Sequence, residues 1–411
     1  MPAFLVAHAT HPDWRKALAL VAVQLQSAQD AHDRSTAGPL TLGFVYFTGQ
    51  YAAHAQALYA ALRQRWPQLS WVGCSGVGVA ASGIEYFDEP ALVLMLAALP
   101  PGRFEVFSGA QKLHRTEAFS ALVHADSNTA DLPELIAEMS DRTTSGYLFG
   151  GLASGASSAC HIANGVWQGG LSGVAFTQEV ALVSRVTQGC QPLGPTRVVT
   201  GCERNVVTEL DGQPALPLLL RDLDLPNLED TRHAMSRLRA TLVGLTDAND
   251  SALVRAGQFG AATRVRHLVG LDPQRGAVAV ADGLSVGMRL AFCQRDMQAA
   301  RRDLVRICSE IRDELESEAE ATLQPGAREP HTPQDTPQNT PQRAPRRVLG
   351  ALYISCSGRG GPHFGGPSAE LKIVQHALGD VPLVGFFANG EIARHHLYGY
   401  TGVLTVFTGM G

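Results

Sequence analysis

One short pattern occurs three times in this 411-residue chain. In each copy an apolar run ends in glycine, and small polar residues with a further glycine follow at once, at residues 69–76, 147–155 and 382–390. Each run has the length and apolar content of a buried strand, and the break after it is typical of a strand end. A helical pattern precedes each run. The recurrence therefore predicts related strand-loop-helix-strand-hairpin units.

These units predict a fold of the α/β class (mixed α+β), with layered sheets and helices. The chain is longer than one ordinary domain, so we predict two domains built from related units. We place an N-terminal helix at 1–34, a first domain at 35–235 and a second domain at 236–408. Residues 324–347 are rich in proline and cannot bury enough apolar surface to offset their chain entropy. We predict that they form a disordered insertion in the second domain.

Charge, hydropathy and cysteine content exclude several functions. A formal net charge of -5 and a pI of about 6.3 provide no basic surface for nucleic acid or an anionic membrane. No apolar run reaches the roughly 18 residues that span a bilayer. The 7 cysteines include no C-x-x-C pair, which argues against a zinc site and a disulfide framework. We expect a cytoplasmic protein without a metal site, a nucleic-acid partner or a membrane partner.

The last unit carries the best candidate for a ligand site. Its first apolar run leads into a loop that contains Cys356, Ser357, Gly358 and Arg359. Glycine lets the backbone approach a ligand closely, and open α/β sheets bind ligands just beyond their strand ends. The Arg359 guanidinium could form a bidentate bond to a carboxylate. The alternative for Arg359 is a surface position or a structural salt bridge.

A second loop of the same unit contains Asn389, Gly390 and Glu391. If the two strands are adjacent, Arg359 and Glu391 would present a cation and an anion to one ligand, which suits a zwitterionic amino acid. The alternative for Glu391 is helix capping or an ion pair with Arg394. The two loops together predict a site for a small ligand.

Cysteines lie at matching places in two of the loops, at Cys74, which precedes Ser75, and at Cys356. We include Cys74 and Ser75 among the candidate ligand-binding residues. A nucleophilic thiol needs a base and an orienting group, and His363 is the nearest candidate base to Cys356. No cysteine-enzyme signature surrounds it. We therefore predict no catalytic residue and no enzyme activity, with catalysis by Cys356 or Ser357 as the alternative.

The chain resembles the bacterial FIST-domain proteins. The motifs that carry the resemblance are residues 73–76, 149–151, 164–166, 189–194, 199–200, 205–207 and 209–215, followed by 264–271, 292–296, 356–360, 385–391 and 399–401. The resemblance implies a FIST N-terminal domain at 35–235, a FIST C-terminal domain at 236–408 and a sensory role in signal transduction. It also implies a small ligand such as an amino acid, and some similar proteins look like haem-binding nitric oxide sensors.

Haem is therefore an alternative cofactor, and it requires an axial ligand. The candidates are His363, His395 and His396, with His267 and His376 as further possibilities. The adjacent His395 and His396 would face opposite sides of an extended segment, and the chain has no C-x-x-C-H attachment motif. A surface or hydrogen-bonded position is the alternative for each histidine.

These observations together predict an intracellular sensor that binds a small molecule such as an amino acid in glycine-rich loops at strand ends. We expect it to act on a separate signalling protein, such as a histidine kinase or a cyclic-dinucleotide enzyme. A haem-binding nitric oxide sensor and a cysteine- or serine-dependent enzyme are the alternatives.

Overall fold

A computed structural model of the chain describes residues 4–33, 38–114, 118–155, 159–225, 231–248, 263–323 and 346–410. Its strands in chain order are β1 (Phe4–Thr10), β2 (Leu42–Thr48), β3 (Ser70–Gly76), β4 (Gly78–Ala81), β5 (Ile84–Phe87), β6 (Ala91–Ala97), β7 (Phe104–Phe107), β8 (Ser120–Asp126), β9 (Tyr147–Ala153), β10 (His161–Ala163), β11 (Val166–Trp167), β12 (Leu171–Phe176), β13 (Leu182–Gln188), β14 (Cys190–Pro192), β15 (Arg197–Glu203), β16 (Val206–Leu210), β17 (Gln213–Pro214), β18 (Thr241–Thr246), β19 (Arg264–Asp272), β20 (Ala277–Val280), β21 (Arg289–Arg295), β22 (Arg346–Cys356), β23 (Leu383–Ala388), β24 (Glu391–Ala393), β25 (His396–Tyr398) and β26 (Thr401–Met410). Its α-helices are α1 (Trp14–Asp33), α2 (Ala55–Arg65), α3 (Leu132–Asp141), α4 (Ala215–Asp222), α5 (Thr231–Ala240), α6 (Met297–Leu323) and α7 (Ala369–Leu378), and a 3-10 helix covers Gly49–His54. The predicted insertion at 324–347 lies outside the described residues, except for Arg346 and Arg347, which begin β22.

The repeated units predicted from the sequence are present as three strand-helix-strand units. They are β2-α2-β3, β8-α3-β9 and β22-α7-β23, and the two strands of each unit pair in parallel. The second strand of each unit carries a glycine that touches the backbone of the first strand. A Cβ atom at Gly73, Gly150 or Gly385 would lie 1.7, 1.9 or 1.7 Å from the carbonyl oxygen of Val45, Val123 or Tyr353, respectively. The recurring glycine is therefore required by close strand contact.

The hairpin that follows each unit pairs with the second strand of a different unit. The hairpin β4-β5 pairs with β23, β10-β11 pairs with β3, and β24-β25 pairs with β9. This cyclic exchange builds three six-stranded sheets of equivalent order: sheet A (β1-β6-β2-β3-β10-β11), sheet B (β13-β26-β22-β23-β4-β5) and sheet C (β7-β12-β8-β9-β24-β25). Sheets B and C therefore combine strands from both sides of residue 235.

The three sheets enclose one apolar core, and helices cover their outer faces. The core contains buried side chains from all three sheets, among them Phe44, Phe149, Ile354 and Phe386. Helices α1 and α2 supply side chains to the apolar layer outside sheet A, α6 and α7 to that outside sheet B, and α3 to that outside sheet C. The predicted mixed α/β class with layered sheets and helices is confirmed.

A fourth sheet is formed by the part of the chain that lies between β13 and α6 in the sequence, and this sheet closes on itself. Its strands pair in the ring β21-β15-β16-β20-β19-β18, and β18 returns to β21. Apolar side chains such as Val199, Val243 and Phe292 fill this closed sheet together with residues of α4. It is thus a separate body with its own core, joined to sheet B by β13 on one side and α6 on the other.

Within the described residues 4–33, the N-terminal segment contains a strand as well as the helix predicted at 1–34. Helix α1 is present, but Phe4–Thr10 forms strand β1, which pairs antiparallel with the whole length of β6. The backbone hydrogen bonds to β6 and the burial of Phe4, Leu5 and Ala7 stabilise this strand, and neither is visible in the local pattern. None of the described helices is both long and apolar enough to cross a bilayer.

Candidate functional site

The two glycine-rich loops of the last unit lie side by side, as predicted. Cys356 at the end of β22 lies opposite Ala388 at the end of β23. The Ser357 backbone N–H donates to the Ala388 carbonyl at 2.7 Å, and the Ser357 hydroxyl donates to Oδ1 of Asn389 at 2.9 Å. The parallel pairing therefore brings the loops together and fixes their mutual position.

A cavity of about 780 Å³, here called the main pocket, lies between these loops and the closed sheet. Five of the residues predicted to bind a small ligand line it, namely Cys356, Ser357, Gly358, Asn389 and Gly390. Its volume falls in the range of roughly 300–1,000 Å³ that is usual for small-molecule sites. The main pocket is thus large enough for a metabolite-sized ligand.

The closed sheet supplies charged side chains to the opposite wall. Arg264 donates two hydrogen bonds to Asp247, at 2.7 and 2.9 Å, and Nε of Arg266 lies 2.9 Å from a carboxylate oxygen of Asp282. Sequence reasoning did not identify these residues as site residues. The sequence pattern that could have indicated them is the spacing of Arg264 and Arg266, which lie two residues apart in β19. This spacing places both side chains on one face of the strand.

Arg295, at the end of β21, is the cation of the main pocket with the fewest partners. Its side chain is exposed, its Nη2 donates to the Gly358 carbonyl, and its guanidinium carbon lies 5.1 Å from the centre of the Tyr400 ring. None of the described carboxylates forms an ion pair with it. Arg295 can therefore accept an anionic ligand without breaking a salt bridge.

The histidines of the last unit lie closer together than we predict. His395 and His396 both line the main pocket, with ring centroids 3.9 Å apart. The expectation that they face opposite sides is wrong, because His395 lies in the turn before β25 and not in an extended segment. Burial, with a contribution from the Arg264 charge, lowers the pKa of His396 to about 4. His396 is therefore neutral near pH 7.

Arg359 does not line the main pocket and instead forms a buried salt bridge. Its side chain is 1% exposed, and its Nε donates to Glu370 at 2.8 Å. The hydroxyl groups of Tyr353 and Ser355 donate to the same carboxylate. Burial alone would lower the pKa of Arg359, but the Glu370 charge outweighs it and the pKa is raised. The structural alternative for Arg359 is therefore the one observed, and Glu370 is the partner that sequence reasoning missed.

Glu391 also points away from the main pocket. It lies in β24, which pairs with β9, and its fully buried carboxylate accepts hydrogen bonds from the Thr401 N–H at 3.2 Å and the Thr401 hydroxyl at 2.7 Å. Side chains alternate along a strand, so the pairing with sheet C directs Glu391 inward while Asn389 and Gly390 stay at the pocket. Arg359 and Glu391 thus do not face one ligand, contrary to our expectation.

The buried Glu391 predicts a pH-dependent stability. Burial raises the pKa of its carboxyl group to about 8, so the folded protein holds a proton that the unfolded chain releases near pH 4.5. The contribution of this group to stability is fully present below pH 4.5 and is lost as the pH rises towards 8. We expect Glu391→Gln to flatten the decline between these values, as measured by urea denaturation at a series of pH values. An unchanged pH profile in the variant would contradict the assignment.

The remaining predicted residues lie elsewhere. Cys74 and Ser75 are buried in β3, where the Ser75 hydroxyl accepts a hydrogen bond from the Cys160 N–H at 3.1 Å, so they are not part of the main pocket.

Burial raises the pKa of the Cys356 thiol to about 12, which leaves it protonated near pH 7. This protonation state gives no support to Cys356 as a nucleophile.

The main pocket fits haem poorly. Its walls carry the charged groups of Arg264, Arg266 and Asp282, whereas the faces of a porphyrin require broad apolar surfaces. His267, one of the candidate axial ligands, is hydrogen-bonded through its Nε2 to the Tyr400 hydroxyl at 2.8 Å. Within the described residues, no group of three or more His, Cys, Asp or Glu side chains is arranged to hold a metal ion.

Comparison with known proteins supports the resemblance found in the motifs. The family model of the FIST N domain matches residues 41–213, and that of the FIST C domain matches residues 215–394. The chain is 29% identical over 422 residues to Uncharacterized protein Rv0628c of Mycobacterium tuberculosis, with 98% of each chain covered. It is 27% identical over 416 residues to Uncharacterized protein Mb0898c of Mycobacterium bovis, with 97% of each covered. The predicted family resemblance is confirmed.

Proposed function

Because this chain belongs to the FIST family and carries its N and C domains in succession, we propose that it is an intracellular sensor whose main pocket binds a small zwitterion such as an amino acid. FIST domains are generally thought to sense small ligands in signalling. One observation carries the proposal: two glycine-rich loops and the arginines of the closed sheet converge on a single cavity. Exposed N–H groups and guanidinium groups recognise carboxylates.

The charges around the main pocket suit a zwitterion. Arg295, which has no ion-pair partner in the described part of the chain, and the N–H groups of Gly358 and Gly390 would bind the ligand carboxylate. Asp282 lies at the wall of the same cavity, where its carboxylate, which is already paired with Arg266, would share its charge with the ligand ammonium group. The paired hydroxyl and amide of Ser357 and Asn389 lie between the two loops and would orient the bound molecule.

Removal of Arg295 is the sharpest test of this function. A panel of amino acids and small organic acids is screened by thermal denaturation, where a ligand at 100 times its dissociation constant adds about 2.7 kcal/mol of stability. Calorimetric titration of the best ligand should show that Arg295→Ala weakens binding about 10-fold to 100-fold, because a charge-assisted hydrogen bond contributes about 1.5–3 kcal/mol.

Arg289→Ala is the matched control, since Arg289 is an exposed arginine of the same strand that does not line the cavity. It should bind the ligand as the parent protein does. Equal affinity of Arg295→Ala and the parent would overturn the proposed carboxylate contact. If no compound of the panel stabilises the protein and hemin binds tightly, the haem alternative is favoured instead.

The output of the sensor is proposed to pass to a separate protein. The two family matches, at residues 41–213 and 215–394, are to domains generally thought to sense ligands, so a partner protein would carry out the response. A histidine kinase or a cyclic-dinucleotide enzyme is the kind of partner we expect, and the 7 free thiols agree with a cytoplasmic location. A ligand can affect such a partner only if it binds one conformation of the sensor more tightly than another.

A further inference from the structure

A second cavity meets the main pocket at Arg295, and the proposed function does not use it. This cavity, here called the outer groove, has a volume of about 740 Å³. Arg295, Ser357 and Gly358 line both cavities. The Arg295 guanidinium lies against Gly358, where a Cβ atom would be 3.3 Å from its Nη2, and it donates to the Gly358 carbonyl. The two cavities are therefore adjoining parts of one region, and a ligand held by Arg295 lies next to both.

The walls of the outer groove carry apolar side chains. Phe87, Met297 and Pro362 line it, and each of them is partly or fully exposed. The ring centroids of Phe87 and Phe387 are 4.3 Å apart, and a Cβ atom at Gly360 would lie 2.6 Å from Cζ of Phe87, so close packing fixes this ring. Met297 is flexible and can adapt to the shape of a ligand. An apolar group in the outer groove would therefore remove apolar surface from water on both molecules.

Apart from Arg295, the charged groups of the outer groove offer little to a charged ligand. Glu370 already neutralises Arg359, whose side chain is 1% exposed. Burial, with a contribution from the Arg295 charge, lowers the pKa of His363, so this imidazole is neutral near pH 7. Asp88 is exposed, and water weakens its attraction for a cation. The outer groove therefore favours an uncharged, apolar group.

We propose that the outer groove is the side-chain subsite of the main-pocket ligand, and that this ligand is an amino acid with an apolar side chain. The inference rests on the proposed function, in which Arg295 binds the ligand carboxylate. The side chain of an amino acid branches from the carbon next to the carboxylate, so it begins where the two cavities meet. It then packs against Phe87 and Met297, while the ammonium group stays in the main pocket.

Norleucine and alanine are the probes for this subsite, because they differ only by three methylene groups. A fully buried methylene group strengthens binding about fourfold, and partial exposure reduces the gain. We expect norleucine to bind at least about 10-fold more tightly than alanine in calorimetric titrations of the full-length protein. Lysine and glutamate, whose side chains are of similar length but end in a charge, should bind less tightly than norleucine.

Met297→Gln tests the position of the subsite, because it keeps the length of the side chain and replaces its apolar end by a polar amide. The ratio of norleucine affinity to alanine affinity should fall at least about threefold. Alanine should bind as it does to the parent, since Met297 does not line the main pocket. Met235→Gln is the matched control, since Met235 is a methionine of α5 that is 43% exposed and lines neither cavity. It should leave the ratio unchanged.

The outcomes separate this inference from the proposed function. Equal affinities for norleucine and alanine, tighter binding of lysine or glutamate than of norleucine, or an unchanged ratio in Met297→Gln would each overturn the subsite and leave the amino-acid site standing. If no amino acid of the panel binds, or if Arg295→Ala binds norleucine as the parent does, the proposed function itself is overturned, and the subsite with it.

Discussion

Replacement of Glu370 by alanine should lower the free energy of unfolding by about 3–5 kcal/mol, because it leaves a buried guanidinium without its counter-charge. Glu370 is fully buried and accepts hydrogen bonds from Arg359, Tyr353, Ser355 and the Gly360 N–H. All four donors lose their acceptor at once. Urea denaturation followed by circular dichroism measures the loss.

The matched control is Glu138→Ala, which removes a surface salt bridge. Glu138 of α3 pairs with Arg142, the residue that directly follows this helix, and both side chains are about half exposed, at 59% and 48%. Surface pairs of this kind contribute at most about 1 kcal/mol. If the Glu370 variant lost no more stability than the Glu138 variant, the buried network would not have the role assigned to it here.

Substitution of Gly385 by alanine is expected to cost at least about 3 kcal/mol, at the upper end of the effects of overpacking. The added methyl group would lie 1.7 Å from the Tyr353 carbonyl oxygen on the adjacent parallel strand, and a backbone atom in a central sheet cannot move aside. The equivalent changes at Gly73 and Gly150 should have comparable effects, since each glycine occupies the same place in its unit. Thermal and urea denaturation of the three variants would measure them.

Gly283→Ala provides the comparison for these three variants. No atom lies within 4 Å of an added Cβ at Gly283, so its stability should change by less than about 1 kcal/mol. If the variants at Gly73, Gly150 and Gly385 were as stable as Gly283→Ala, small shifts of the backbone would be relieving the close strand contact.

The local part of this architecture could be predicted from the sequence, because it depends on residues close together in the chain. The glycine at each strand end and the helix before it define the three units, and the parallel pairing of β22 with β23 placed Ser357 beside Asn389 as expected. The exchange of hairpins could not be predicted, because it depends on pairings such as Val384 with Ala81 that leave no local pattern.

The charged residues of the site likewise divide into those that the sequence could identify and those that it could not. Arg359 sits in the predicted loop, but its direction depends on Glu370, an acid on the following helix whose burial is a property of the whole fold. The cations that do line the main pocket, Arg264, Arg266 and Arg295, come from the closed sheet. A residue type and its neighbours identify a candidate, whereas the packing of distant elements decides whether it faces a ligand or the interior.

The cyclic exchange of hairpins has a consequence for translation. Sheet A is complete once β11 has left the ribosome, but β4-β5 and β9 must wait for partner strands from the last part of the chain. Ser82, for example, donates to the carbonyl of Val381, 299 residues later. Until then the nascent polypeptide exposes unpaired strand edges, which are prone to associate with other chains. Sheets B and C can be completed only after β22 to β26 have been synthesised, so we expect chaperones to protect these strand edges until then.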